Sequence, residues 1–261
     1  MTPGRAMSAD LAEPKAYHRY HREPIVEAIL DVRVAPAAEH TLLKLAQANS
    51  GLDEQYPNRL PVFRQRIQGN ISTAGPDVTA DQATIGFVFV SADKQQQYQV
   101  TPDGLTFNRL APYIGWTGFR DEASKTWVQF KNVLGDALVV SRLGLRYINR
   151  IEIPAKGPIE LGDYFTTVPH AAPELPQPMT GFFMRIEMPL PDVGGALAVV
   201  VAGTPAKQPN HIGVLLDIDV LKMISSAMSD EEMWSTIALL RDAKNAAFEA
   251  CITDKTRKLI D

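Results

Sequence analysis

Apolar and polar residues alternate most cleanly at three places in the chain. In IVEAILDVRV (25–34), Val26, Ala28, Leu30, Val32 and Val34 fall on one side and Glu27, Asp31 and Arg33 on the other, the period of a half-buried strand. In RLGLRYINRIEIP (142–154), Leu143, Leu145, Tyr147, Ile151 and Ile153 alternate with Arg142, Gly144, Arg146, Ile148, Arg150 and Glu152. Asn149 is the exception, a polar residue on the apolar side. In HIGVLLDIDVL (211–221), Ile212, Val214, Leu216, Ile218 and Val220 oppose His211, Leu215, Asp217 and Asp219. Further strands are expected at 63–72, 83–91, 96–100, 181–190 and 196–203, and the turn TPDG at 101–104 makes a hairpin of QQYQV and LTFNRL.

The period lengthens twice. Trp116, Phe119, Ala123, Trp127, Phe130 and Leu134 recur at spacings of three and four, the stripe of a long helix. A second helix begins where Ser229 and Glu232 have capping-box spacing and runs through Trp234, Ile237, Ala238, Arg241, Phe248 and Ile252. A shorter helix started by Pro36 is expected to turn Leu42, Leu43 and Leu45 inward. Residues 154–180 hold six prolines and no sustained period, and divide the chain. The expected organisation is a mobile leader (1–22), an N-terminal α+β half (23–153), the Pro-rich connection (154–180) and a C-terminal half of strands and one helix (181–261). The expected fold class is α+β, with two antiparallel-sheet units that each carry a long helix. Both long helices open near a tryptophan and later present a phenylalanine, as an internal duplication would; any meander followed by a helix has the same pattern, so both readings stand.

Charge and composition narrow the function. Twenty-six basic and thirty acidic residues give a net charge of −4, which argues against broad nucleic-acid binding. The single cysteine, Cys251, lies in an amphipathic helical pattern; it excludes an intramolecular disulfide, favours a reducing compartment and is expected to pack in the core. The first residues lack the apolar centre of a secretory signal, and no run approaches the ~18 apolar residues of a membrane span, so a cytoplasmic, membrane-free protein is expected. The sequence has no P-loop, no G-x-G-x-x-G and no G-x-S-x-G. His18 and His21 fall in the leader, where two imidazoles make no closed metal site.

Three segments, PIVEAIL (24–30), GLRYINRI (144–151) and LLDIDV (215–220), with AFEACIT (247–253) in the helix that follows, together resemble a sporadically distributed bacterial family of uncharacterised proteins of about this length. The resemblance implies a shared fold and a shared polar surface on those segments. It supplies no catalytic residue.

Arginines four apart along a strand are separated by ~13 Å, too far for Arg142, Arg146 and Arg150 to clamp one phosphate. If the three marker strands are neighbours, these cations meet Glu27, Asp31, Asp217 and Asp219. Exposed pairs of that kind contribute only ~0.2–1 kcal/mol each and would fix register without a ligand. A ligand-binding version of the same surface uses Glu27, Arg146, Arg150, Asp217 and Asp219. No catalytic residue, cofactor or metal is assigned. The leading expectation is a non-enzymatic binding or interaction module that takes a protein or a small charged ligand on a concave charged surface. Two alternatives remain. One is a metal-dependent phosphodiesterase or nuclease, with Asp217, Asp219 and Glu27 around a divalent ion. The other is a structural subunit of a homo-oligomer, joined through an apolar interface.

Overall fold

The alternating segments all become strands of one sheet. The computed structural model describes residues 18–35, 42–72, 75–135 and 138–261. Its strands are β1 (Ile25–Val34), β2 (Asn58–Ser72), β3 (Gly75–Val90), β4 (Gln96–Thr101), β5 (Gly104–Leu110), β6 (Val140–Pro154), β7 (Phe183–Leu190), β8 (Gly195–Thr204) and β9 (His211–Met223). The helices are α1 (Leu42–Ala46), α2 (Gly115–Leu134), α3 (Asp230–Cys251) and α4 (Asp254–Ile260). The strand order is β2-β3-β4-β5-β1-β6-β9-β8-β7, and neighbouring strands are antiparallel. The fold is therefore α+β as expected, but the two expected sheet units are a single sheet. The N-terminal half ends in β6, which pairs on one side with β1, Leu30 opposite Leu145, and on the other with β9 of the C-terminal half, Leu145 opposite Val220 and Tyr147 opposite Ile218. That register continues one apolar face across the junction and leaves neither β6 nor β9 as an exposed edge.

Directly opposed residues of an antiparallel pair point to the same face. Leu30, Leu145, Val220 and Leu197 form one buried row, and Tyr147, Ile218 and Val199 another. Against this face α2 packs Phe119, Ala123, Trp127 and Phe130, and α3 packs Met233, Ile237, Leu240 and Phe248. Each large apolar side chain so buried stabilises the fold by roughly 1.5–3 kcal/mol. The second helix starts as its sequence predicts: the Ser229 hydroxyl accepts from the Glu232 amide at 3.2 Å, and the Glu232 carboxylate accepts from the Ser229 amide at 2.7 Å. Asp230 then accepts from Trp127 Nε1 at 3.1 Å and from Lys131 Nζ at 2.8 Å, which ties α2 to α3.

The short helix departs from expectation. Leu45 is buried, but Leu42 and Leu43 are exposed, because α1 is only five residues long and one stripe of it meets the core. Pro36 lies outside the described residues. At the end of the expected leader, one side chain enters the core and the backbone meets α4. Tyr20 is buried and its hydroxyl donates to Glu249 at 2.8 Å, while the Arg22 amide donates to the Ile260 carbonyl at 2.9 Å. The Pro-rich connection forms no strand between β6 and β7, and Phe165 bridges it to Ile252. Among the described residues no helix is long and apolar enough to cross a membrane.

Candidate functional site

All five residues of the expected ligand surface lie on three adjacent strands, Glu27 on β1, Arg146 and Arg150 on β6, and Asp217 and Asp219 on β9. The arginine side chains are engaged by acids. Arg142 donates to Asp31 at 2.6 Å, and Arg33 holds the same carboxylate. Arg146 stands opposite Asp219 in register but reaches diagonally to Asp217, which it grips with two nitrogens at 2.9 and 2.5 Å. Arg150 donates to Glu152 at 2.6 Å and to the Pro205 carbonyl. Gly213 leaves room for it, since a Cβ there would lie 2.8 Å from the Thr204 carbonyl oxygen and 3.1 Å from Arg150 Nη2. Glu27 accepts from Asn108 at 2.6 Å.

Asp219 is the exception. It receives no hydrogen bond from the described side chains, and it borders a hollow of about 290 Å³ with Arg142, Arg146 and Asn108. Burial raises its carboxyl above the usual range, against the pull of Arg146 and with the push of Asp217. Asp31 shows the opposite balance: burial would raise it, and the bonds from Arg142 and Arg33 carry it below the usual value. Among the described residues no group of three or more His, Cys, Asp or Glu side chains is placed to hold a metal ion.

A second site lies on the other side of the sheet, under the helices. A cavity of about 390 Å³ opens between the first turn of α2, the middle of α3 and residues 18–25. Its wall includes Tyr113, Trp116, Tyr147, Asn149, Arg241 and Lys244. A volume of this size suits a small organic molecule. The sheet contributes Asn149 at an irregularity in the β1–β6 register between Ile25 and Glu27, the kind of bulge that re-aims side chains. The Asn149 amide nitrogen donates to the Leu216 carbonyl at 3.0 Å. Tyr113 and Tyr147 share one hydrogen bond, hydroxyl to hydroxyl, at 2.8 Å. Burial pushes both phenols above their ordinary value, so both stay protonated. Two protons and one bond between them leave an O–H for a third partner.

Lys244 is 7% exposed and takes a position in the buried stripe Met233, Ile237, Leu240, Lys244, Phe248 and Cys251 of α3. Its Nζ lies 3.7 Å from the centre of the Tyr147 ring, and no described carboxylate forms an ion pair with it. Cation–π contact of this kind offsets part of the desolvation cost but not all of it. Burial first, and the charge of Arg241 second, pull the Lys244 amine down to about 7 against the opposing pull of Glu23. Arg241, one turn earlier on α3, lays its guanidinium 5.5 Å from the Trp116 ring centre and donates to Asp242 at 3.2 Å. The acids on the rim are engaged elsewhere, Glu249 with Tyr20 and Arg257 and Glu23 with Arg19. Ile114, the residue that caps α2, offers no side-chain oxygen, so the first N–H groups of that helix keep their partial positive charge beside Gly115, Trp116 and Thr117 on the cavity wall. An amine, a phenol and a helix start, beside the positive charge of Arg241, make a set that fits an anion.

Asn149 stood out in the sequence as a polar residue on an apolar face. Lys244 carried the same signal at helical spacing, a lysine where the stripe requires an apolar residue. Comparison with protein-family models, with curated proteins and with solved structures returns no match to this chain.

Proposed function

We propose that the protein is a non-enzymatic binding module whose ligand is a small anion held in the cavity between α2, α3 and the sheet. The observation that carries this reading is Lys244, a lysine buried at the cavity wall without a carboxylate partner among the described residues. Desolvating its ammonium form costs several kcal/mol unless a counter-charge meets it, and a bound anion supplies one and so favours the protonated amine. Thermal-shift measurements with inorganic phosphate, pyruvate, citrate and nucleotides test the idea. A ligand at a hundred times its Kd stabilises the fold by about 2.7 kcal/mol, and K244M should abolish the shift. No shift with any anion would sink the proposal.

Asp219 favours a second reading, a small charged ligand or protein partner on the open sheet face that carries Glu27, Arg146, Arg150, Asp217 and Asp219. Its carboxylate is the one among these five without a hydrogen bond from the described residues. D219N would then change the response to a cationic ligand such as spermidine while leaving anion binding intact. We also read the two halves as a duplication, which the shared order of strands followed by a long helix supports, and place the chain in the bacterial family that its three marker segments resemble. A cytoplasmic setting belongs to the same proposal, supported by the single buried cysteine.

A further inference from the structure

We propose that Lys244 captures a small 2-oxo carboxylate as a reversible imine, an inference that rests on the cavity being the ligand site. Three features of the cavity lead there. Lys244 lines a 390 Å³ space, with its nitrogen over the Tyr147 ring and no ion pair to a carboxylate among the described residues. The groups on either side suit the two ends of a 2-oxo acid. The uncapped start of α2, with the positive charge of Arg241 three residues before Lys244 on α3, suits a carboxylate; the Tyr113–Tyr147 hydroxyl pair has a proton to give to a carbonyl oxygen. The surroundings also favour the neutral amine. Burial disfavours the ammonium, Arg241 repels it and Glu23 favours it, while the neighbouring phenols Tyr113 and Tyr147 are protonated and carry no charge.

The chemistry balances without oxidant or reductant. The neutral amine nitrogen attacks the carbonyl carbon, the carbonyl π pair moves to oxygen, and that oxygen takes a proton from the tyrosine pair. The nitrogen then loses its protons as the carbon–nitrogen double bond forms and the oxygen leaves as water, and the tyrosine pair recovers its proton. Amine and ketone give imine and water, and hydrolysis reverses the step.

The test is reductive trapping on the full chain. The protein is incubated with pyruvate and borohydride, digested, and its lysines are compared by mass spectrometry. Lys244 should be modified with a preference of at least about tenfold over exposed lysines such as Lys94 and Lys125, since its neutral fraction at pH 7 is roughly a thousandfold larger. Trapping should increase as the pH rises through about 7. Acetone, which lacks the carboxylate, should mark Lys244 much less. K244M, with its folding checked by circular dichroism and melting temperature, should lose the site-selective product. Modification spread over surface lysines in proportion to exposure would overturn the imine. If pyruvate raises the melting temperature but leaves no trapped product, the imine fails and the anion site stands. If neither occurs, both fail for this class of ligand.

Discussion

Raising the pH above about 7 should stabilise the fold through Lys244. Its amine has a folded-state pKa below the unfolded value near 10.5, so between the two the unfolded chain binds the extra proton. Loss of that proton favours the folded state, by up to about 1.4 kcal/mol for each pH unit in that window; below it, both states are protonated and the contribution is flat. Urea denaturation of wild type and K244M at pH 7 and pH 9 isolates the effect, because other titrating groups are common to both. The wild type should gain on the variant as pH rises, and a constant gap would mean that the amine titrates as an ordinary lysine. At this scale the sequence was informative about the charges of the open face, where alternation alone put Arg146 and Asp217 on the same side of their strands. It did not tell which acid each arginine takes, since Arg146 passes over its direct partner Asp219 for Asp217, a choice made by side-chain reach in three dimensions.

Elements whose signals are local were the most legible. The hairpin at Thr101–Gly104 and the start of α3 both depend on residues within one turn, and both form where the sequence places them. Replacing Ser229 by alanine should therefore cost about 1 kcal/mol by removing the acceptor for the Glu232 amide. A chemical denaturation midpoint that does not move would show that the cap contributes nothing beyond what water supplies. The short helix α1 was misread because a run of leucines gives periodicity no phase: Leu42, Leu43 and Leu45 each qualify for an inward face, and the packing partner selects Leu45. Lys244 was missed for the converse reason, since a helix stripe is recognised by its apolar members and a lysine within it reads as a gap.

For the whole molecule, the joining of the halves was not legible. The N-terminal half ends in β6 and the C-terminal half carries β9, and nothing local states that these two strands pair with each other. Even the nearest pair in that contact, Pro154 and His211, is far apart in sequence, whereas the patterns that identify strands are a few residues long. Its consequence is one sheet that runs through both halves, with β1 and β6 in its interior. Hydrogen exchange followed by mass spectrometry should find β1 and β6 the slowest to exchange and the edge strands β2 and β7 the fastest. Independent protection of the two halves, with rapid exchange at the β6–β9 junction, would contradict a single cooperative sheet.

Trp116 gives the cavity its own optical reporter. Of the three tryptophans, it alone lines the cavity, with the Arg241 guanidinium against its ring, while Trp127 is held by Asp230 at the contact of α2 and α3. A guest carboxylate in the cavity changes the charge next to an excited indole, so occupancy becomes visible as a shift in emission from an unlabelled protein.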